Sequence, residues 1–158
     1  MGTKGNDLAA EFEATNQRLI TTIESMTEAD WKRPCAGETW PAGVTAHHAA
    51  ESIGPLSGIV QAMASGGPVP PITPEALDAM NAQHAQREAN CTREQTLQLL
   101  RTGGEEAVRT LRAIPDDGFA RTAVFGPMGE TSAENFAKAV LIGHLQAHGS
   151  SVAAVKAS

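Results

Sequence analysis

Residues 133–155, with the sequence AENFAKAVLIGHLQAHGSSVAAV, carry an apolar stripe at helical spacing. Successive residues of an α-helix lie about 100° apart, so positions three and four residues apart share one face. One face of this segment holds Ala133, Ala137, Leu141, His144, Leu145, His148, Val152 and Val155. We therefore predict a closing helix that directs His144 and His148, one turn apart, toward the protein core.

A second segment, from Pro41 to about Ala64, shows the same arrangement. Proline suits the first turn of a helix, and a Ser-Gly-Gly sequence follows the predicted end. The inward stripe of this helix holds Val44, His48, Ser52, Pro55, Ile59 and Met63. His48 lies near the centre of the stripe and His47 about a quarter turn aside, so His48 is the inward histidine of this helix.

Helix-capping signals also occur in the rest of the chain. Asn6 is a predicted cap of a first helix, since an Asn side chain can accept a hydrogen bond from an amide of the first turn. Thr92 with Gln95, and Thr131 with Glu134, have the spacing of a capping box, in which a Thr cap is followed three residues later by Gln or Glu. These signals predict helices after each cap.

Strand patterns are weak in this sequence, because no run of four or more residues alternates convincingly between apolar and polar. Residues 66–73 and 116–130 read as long connections, and the pattern leaves open whether residues 73–113 form one bent helix or two. The sequence therefore predicts an all-α fold, a four-helix bundle with long connections, over residues 1–158 as a single domain.

Composition excludes several classes of function. The chain has 158 residues and a net charge of −6, from 12 Lys and Arg against 18 Asp and Glu. This balance offers no basic surface for nucleic acid or for an anionic membrane. Met1 to Asp7 lacks the apolar core of a signal peptide, and no apolar run approaches the roughly 20 residues of a membrane span. We expect a cytoplasmic protein of bacterial type, with Cys35 and Cys91 as inert thiols.

The inward histidines of the two helices suggest a metal site. Three neutral imidazoles can hold zinc, nickel or ferrous iron and leave a position open for water or substrate. The alternative is that each of them is a hydrogen-bonded core residue, which is the ordinary role of a single inward histidine. A zinc-protease motif is excluded, because Leu145 stands where that motif requires a glutamate base.

Two stretches of the sequence resemble those of a known family. Trp40-Pro-Ala-Gly-Val-Thr-Ala-His47-His48 places a histidine eight residues after a tryptophan at a helix start. Together with the closing Gly-His144-Leu-Gln-Ala-His148 segment, it is similar to the DinB/YfiT-like superfamily over essentially the whole chain. The resemblance implies a four-helix bundle with a divalent metal, zinc or nickel, held by His48, His144 and His148.

The family also suggests an activity, since its characterised members include thiol-dependent S-transferases and the mycothiol-dependent maleylpyruvate isomerase. We hypothesise a metal-dependent S-transferase or isomerase, or a hydrolase, that uses a low-molecular-weight thiol and a small-molecule substrate. The alternative is a non-catalytic metal- or ligand-binding bundle in a stress response. His84 could be a catalytic residue that contacts substrate, a fourth ligand, or part of an exposed face.

Apolar residues outside the inward stripes predict self-association. Ile53 and Val60 lie off the stripe of the second helix, and Ile142 lies off that of the closing helix. A contiguous apolar surface left in water usually marks an interface, and two-fold dimers are the commonest assembly. We therefore expect a homodimer, unless the connections at residues 66–73 and 116–130 cover these side chains.

Overall fold

The computed structural model describes residues 2–157 and confirms an all-α fold. The α-helices are Thr3–Glu24 (α1), Glu28–Lys32 (α2), Ala42–Ser65 (α3), Pro74–Arg87 (α4), Arg93–Ala113 (α5), Ala133–Phe136 (α6) and Gly143–Ala157 (α7). A π-helical segment, Ala137–Ile142, joins α6 to α7. Two 3-10 turns, Gly118–Ala120 and Gly126–Met128, and two short strands, Thr122–Val124 (β1) and Glu130–Ser132 (β2), complete the chain order.

Side-chain caps fix several helix starts. Thr27 and Asp30 form a capping box at α2, and Thr92 and Gln95 form the predicted one at α5. Each box satisfies amide groups that have no partner inside the helix. The Thr131 cap is wrong by one residue, since Ser132 accepts from the amide of Asn135.

The predicted Asn6 cap is also wrong, because α1 begins one turn earlier. Its N-cap is Gly2, and the Asp116 carboxylate takes the place of a local cap by accepting from the amides of Thr3 and Lys4. A helix-capping group from residue 116 cannot be recognised in the local sequence.

The long helices pack around α3, which contacts α5 and α7, while α1 contacts the same two helices from another side. Their shared core includes the fully buried side chains of Phe12, Phe119, Phe136, Ile53, Leu100, Leu111 and Leu141. At the start of α3, the Trp31 ring lies so close to Gly43 that a Cβ there would be 2.5 Å from it. The Trp31 indole donates to the Cys91 carbonyl, which fixes the α2, α3 and α5 ends together.

Residues 73–113, left open by the sequence, form two helices, α4 and α5, separated by the turn before Thr92. The long connection predicted at residues 116–130 leads into an antiparallel hairpin. In this hairpin Thr122 pairs with Ser132 and Val124 with Glu130. Its strands have three residues each, which is too short for an alternation pattern to be visible in the sequence.

The premise of the dimer prediction is wrong. Ile53, Val60 and Ile142 are all buried within the chain. Ile53 faces Gly103 of α5, because α3 is enclosed by neighbours on several sides rather than along one stripe. No helix in the described part of the chain combines the length and the apolar character that a membrane span requires.

Candidate metal centre

The structure brings together the three histidines that the sequence singled out. His48 of α3 and His144 and His148 of α7 each present one ring nitrogen, and these atoms lie within 4.8 Å of one another. Nε2 of His48 is 3.1 Å from Nε2 of His144, and the rings of His144 and His148 have centroids 4.4 Å apart. We call these residues the three-histidine group.

A π-helical segment directly precedes the two histidines of α7. The amide of Gly143 donates to the carbonyl of Lys138, five residues earlier, instead of to the usual partner four residues earlier. Such π turns are rare and occur often at functional sites. Periodicity at 100° per residue assumes regular α-helix, so it predicted the inward histidines but not this turn.

Burial keeps the imidazoles of His48 and His144 neutral. It lowers the pKa of His48 to about 3, with the neighbouring His144 and His148 rings as further causes. Burial likewise lowers the pKa of His144 to about 4, aided by His148. A histidine binds metal through a neutral ring, so both side chains are in the ligand form at neutral pH.

Glu38 orients the third ring. Its Oε1 accepts a hydrogen bond of 2.8 Å from Nδ1 of His148, which leaves Nε2 as the nitrogen that can bind a metal. Metal-ligating histidines ordinarily donate their other ring N–H to such an acceptor. Nitrogens bound tetrahedrally at 2.0–2.1 Å lie about 3.3 Å apart, close to the observed His48–His144 separation. The donor set therefore fits a divalent metal ion.

Sequence reasoning missed Glu38 as part of this site. It lies in the loop between α2 and α3, where no periodicity predicts the direction of a side chain. Trp40 also borders the site, with its ring edge-on to His48 at a centroid distance of 5.3 Å. The tryptophan that is buried near the start of α3 is Trp31.

His47 and His84 form a second buried cluster next to the first. Nδ1 of His47 is 2.9 Å from Nε2 of His84, and that nitrogen is 3.5 Å from Oε2 of Glu51. His47 thus points away from the three-histidine group, as its position off the stripe predicted. His84 is only 4% exposed, so its interpretation as part of an exposed face is wrong.

A cavity of about 730 Å³ opens beside both clusters. Its polar lining includes Glu38, Glu51, Arg87 and the three-histidine group, and most of the lining surface is apolar. The apolar lining comes from Leu56, Ile59, Ile72, Leu77, Met80, Phe125 and Val140. A mostly apolar pocket with a few polar groups in its lining is typical of small-molecule sites.

The two cysteines lie outside this lining. Both are free and buried. Burial raises the pKa of the Cys35 thiol and raises that of Cys91 to about 11. Since the thiolate is the reactive form, neither side chain is activated as a nucleophile at neutral pH.

The fold and the site together define an all-α protein with a three-histidine candidate metal centre in the lining of a cavity. The family model of the DinB superfamily matches residues 11–152, and the chain belongs to that superfamily. Neither a curated protein nor a solved structure gives a significant match to the chain.

Proposed function

We propose that this protein is a divalent-metal-dependent enzyme of the thiol S-transferase or isomerase type, with the metal, zinc or nickel, held by His48, His144 and His148. The observation that carries the proposal is the convergence of three imidazoles in the lining of the cavity. Membership of the DinB superfamily supports it. A hydrolase would use the same centre with water in place of the thiol.

A metal held by these rings supplies a Lewis acid that polarises a substrate carbonyl or lowers the pKa of a bound thiol or water. The protein's own groups supply the geometry. Glu38 holds the His148 ring through Nδ1, and Trp40 packs edge-on against His48. The apolar walls exclude water from one side of the site and bind the apolar part of a substrate.

The reacting thiol of the proposed enzyme comes from a small molecule. Cys35 and Cys91 are buried away from the cavity, so the chain brings no cysteine of its own to the centre. The volume of the cavity, about 730 Å³, is within the range of about 300–1,000 Å³ that is common for small-molecule sites.

A non-catalytic metal- or ligand-binding protein of a stress response is the second candidate. The two carboxylates that line the cavity already have partners: Glu38 pairs with His148 and Glu51 with Arg87. His84, the candidate catalytic residue, has Nε2 facing His47 and a buried Nδ1. A general base in open contact with a substrate is therefore not evident among these groups.

Thiol binding to the loaded protein separates the two candidates. Co²⁺ is added to chelator-treated protein, and N-acetylcysteine is then titrated in as a generic low-molecular-weight thiol. A thiolate bound to the metal adds a sulfur-to-cobalt charge-transfer band, which we expect in the wild type and not in His48→Ala. Metal binding without this band would contradict the thiol-dependent enzyme and favour the second candidate.

We also propose a homodimer. The exposed large apolar side chains include Val124 and Met128 of the hairpin, outside the cavity, which offer apolar surface for a second copy. Light scattering across a dilution series should give about twice the chain mass of 16.5 kDa. A constant mass of one chain would show a monomer.

A further inference from the structure

The second cluster has the composition of a metal site. His47 and Glu51 lie one turn apart on α3, and His84 faces them from α4. Each offers one ligand atom, and the three atoms lie within 4.8 Å of one another. We propose that His47, Glu51 and His84 bind a second divalent metal ion beside the three-histidine group. We call these three residues the α3–α4 group.

The distances suit a metal with nitrogen and oxygen ligands. Nδ1 of His47 and Nε2 of His84 are 2.9 Å apart, and Nε2 of His84 and Oε2 of Glu51 are 3.5 Å apart. These values lie on either side of the roughly 3.3 Å between ligands of a tetrahedral zinc ion. Two imidazoles and one carboxylate suit zinc and neighbouring divalent metals better than magnesium or calcium, which prefer oxygen.

The outer partners, that is, the groups that contact the ligand side chains from outside, also match those of a metal site. Nε2 of His47 faces Oε2 of Glu88 at 3.7 Å, and Nη2 of Arg87 lies 2.9 and 3.0 Å from the two carboxylate oxygens of Glu51. Ligating histidines commonly face a carboxylate through the other nitrogen, and ligating carboxylates are themselves hydrogen-bonded. Arg87 contacts both oxygens of Glu51 through one nitrogen, so it holds the carboxylate in place and also competes with a cation for it.

The charges around the group favour a cation. Glu51 and Glu88 carry two negative charges, and Arg87 between them carries one positive charge. One negative charge within this set is therefore uncompensated next to two buried imidazoles. A divalent cation would compensate it.

Both histidines of the α3–α4 group are buried and already face each other. His47 and His84 are 5% and 4% exposed, and one hydrogen bond joins their facing nitrogens. The other nitrogen of His84, Nδ1, is buried and has no hydrogen-bond partner among the described residues. A metal bound to Nε2 would leave Nδ1 as it is, so the inference rests on the converging ligand atoms and not on this nitrogen.

The two metal groups would serve one cavity. His48 and His84 both line it, and their ring centroids are 5.3 Å apart. This inference goes beyond the proposed function, which requires the three-histidine group alone. We expect the second ion to bind more weakly than the first, because Arg87 competes for Glu51 and the first ion repels the second.

Zinc titration of chelator-treated, full-length protein tests the inference. Calorimetry should resolve two equivalents per chain in the wild type. Glu51→Gln keeps the shape of an exposed side chain and removes the anionic ligand, so the second equivalent should bind at least tenfold more weakly. Arg87→Gln is the matched control: it breaks the same ion pair but removes a positive charge, so the second equivalent should bind as tightly as before or more tightly.

His48→Ala separates this site from the proposed enzyme centre. It should abolish the tighter equivalent and leave the second one, whatever the outcome of the thiol experiment. Circular dichroism verifies that each variant is folded. Saturation of the wild type at one equivalent, equal loss of the second equivalent in Glu51→Gln and Arg87→Gln, or loss of both equivalents in a folded His48→Ala would overturn the inference.

Discussion

The three-histidine group and the α3–α4 group both start from α3, but the helices that complete them are held differently. α7 supplies His144 and His148 and is anchored by the buried side chains of Leu145, Val152 and Val155. In α4, by contrast, His84 alone is buried, and most of the other side chains of this helix are exposed.

This difference separates two ways of positioning a ligand. The helix that carries His144 and His148 is held by core packing that exists without a metal. The ring of α4 is placed by its own polar contacts with His47 and Glu51. The three-histidine group should therefore be preorganised, and the α3–α4 group should depend on what it binds.

Removing one ligand of the preorganised group should have the largest effect. His48→Ala deletes one of three imidazoles, so the tighter metal should weaken by more than the roughly 10–100-fold that loss of an outer partner costs. His47→Ala is the matched control on the next residue and should leave the tighter metal in place. Metal analysis after dialysis against a weak chelator measures both. Retention in His48→Ala with loss in His47→Ala would reverse the assignment.

Loss of an outer partner should have an intermediate effect. Glu38→Gln weakens the hydrogen bond that orients His148, and we expect roughly 10–100-fold weaker binding of the tighter metal. The second equivalent should be unaffected, since Glu38 is not part of the α3–α4 group. Competition with a chromophoric chelator gives both affinities. An unchanged tighter site would mean that core packing alone orients the His148 ring.

Metal removal should change stability only moderately. The core of Phe12, Phe119 and Phe136 does not involve the metal, whereas a zinc finger obtains most of its folding free energy from its ion. Chelator should lower the melting temperature but leave one cooperative transition, and amide exchange should increase more in α4 than in α7. Loss of helical circular dichroism on chelation, or equal exchange in the two helices, would contradict the comparison.

The smallest effect is expected far from both groups, at an ion pair that ties α6 to α1. Hydrogen bonds from Lys138 and Lys4 lower the pKa of Glu134 from 4.5 to about 2. The folded state therefore binds this proton less readily than the unfolded state. The contribution to stability is present above pH 4.5 and is lost as the pH falls toward 2.

Glu134→Gln should accordingly lower the melting temperature at pH 7 by no more than about 4 °C, because exposed ion pairs contribute little. The difference from the wild type should vanish near pH 2. Thermal melts across this range provide the measurement. A difference that is independent of pH would show that Glu134 acts through packing rather than charge.

Much of the fold follows from patterns that are local in the sequence. The caps at Thr27 and Thr92 and the ends of α3 require contacts within a few residues. The spacing of His144 and His148 places both on one helical face whatever the helix packs against. These features could be predicted because their physical causes lie within one helical turn.

Contacts between distant segments could not be predicted. Glu38 reaches His148 across 110 residues of sequence, and His84 reaches His47 across 37. A single inward stripe predicts that Ile53 lies at the surface, yet Ile53 is buried because α3 has neighbours on several sides.

The sequence by itself determined the all-α class and the common face of His144 and His148, and it predicted His48 rather than His47 as their partner. These follow from helical geometry and from the order of residues along α3 and α7. Tertiary structure alone decided that Glu38 orients one ring of the three-histidine group, and that His47, Glu51 and His84 meet as a separate group. The reason is physical: a helix repeat sets the direction of a side chain, but only packing between helices sets what that side chain meets.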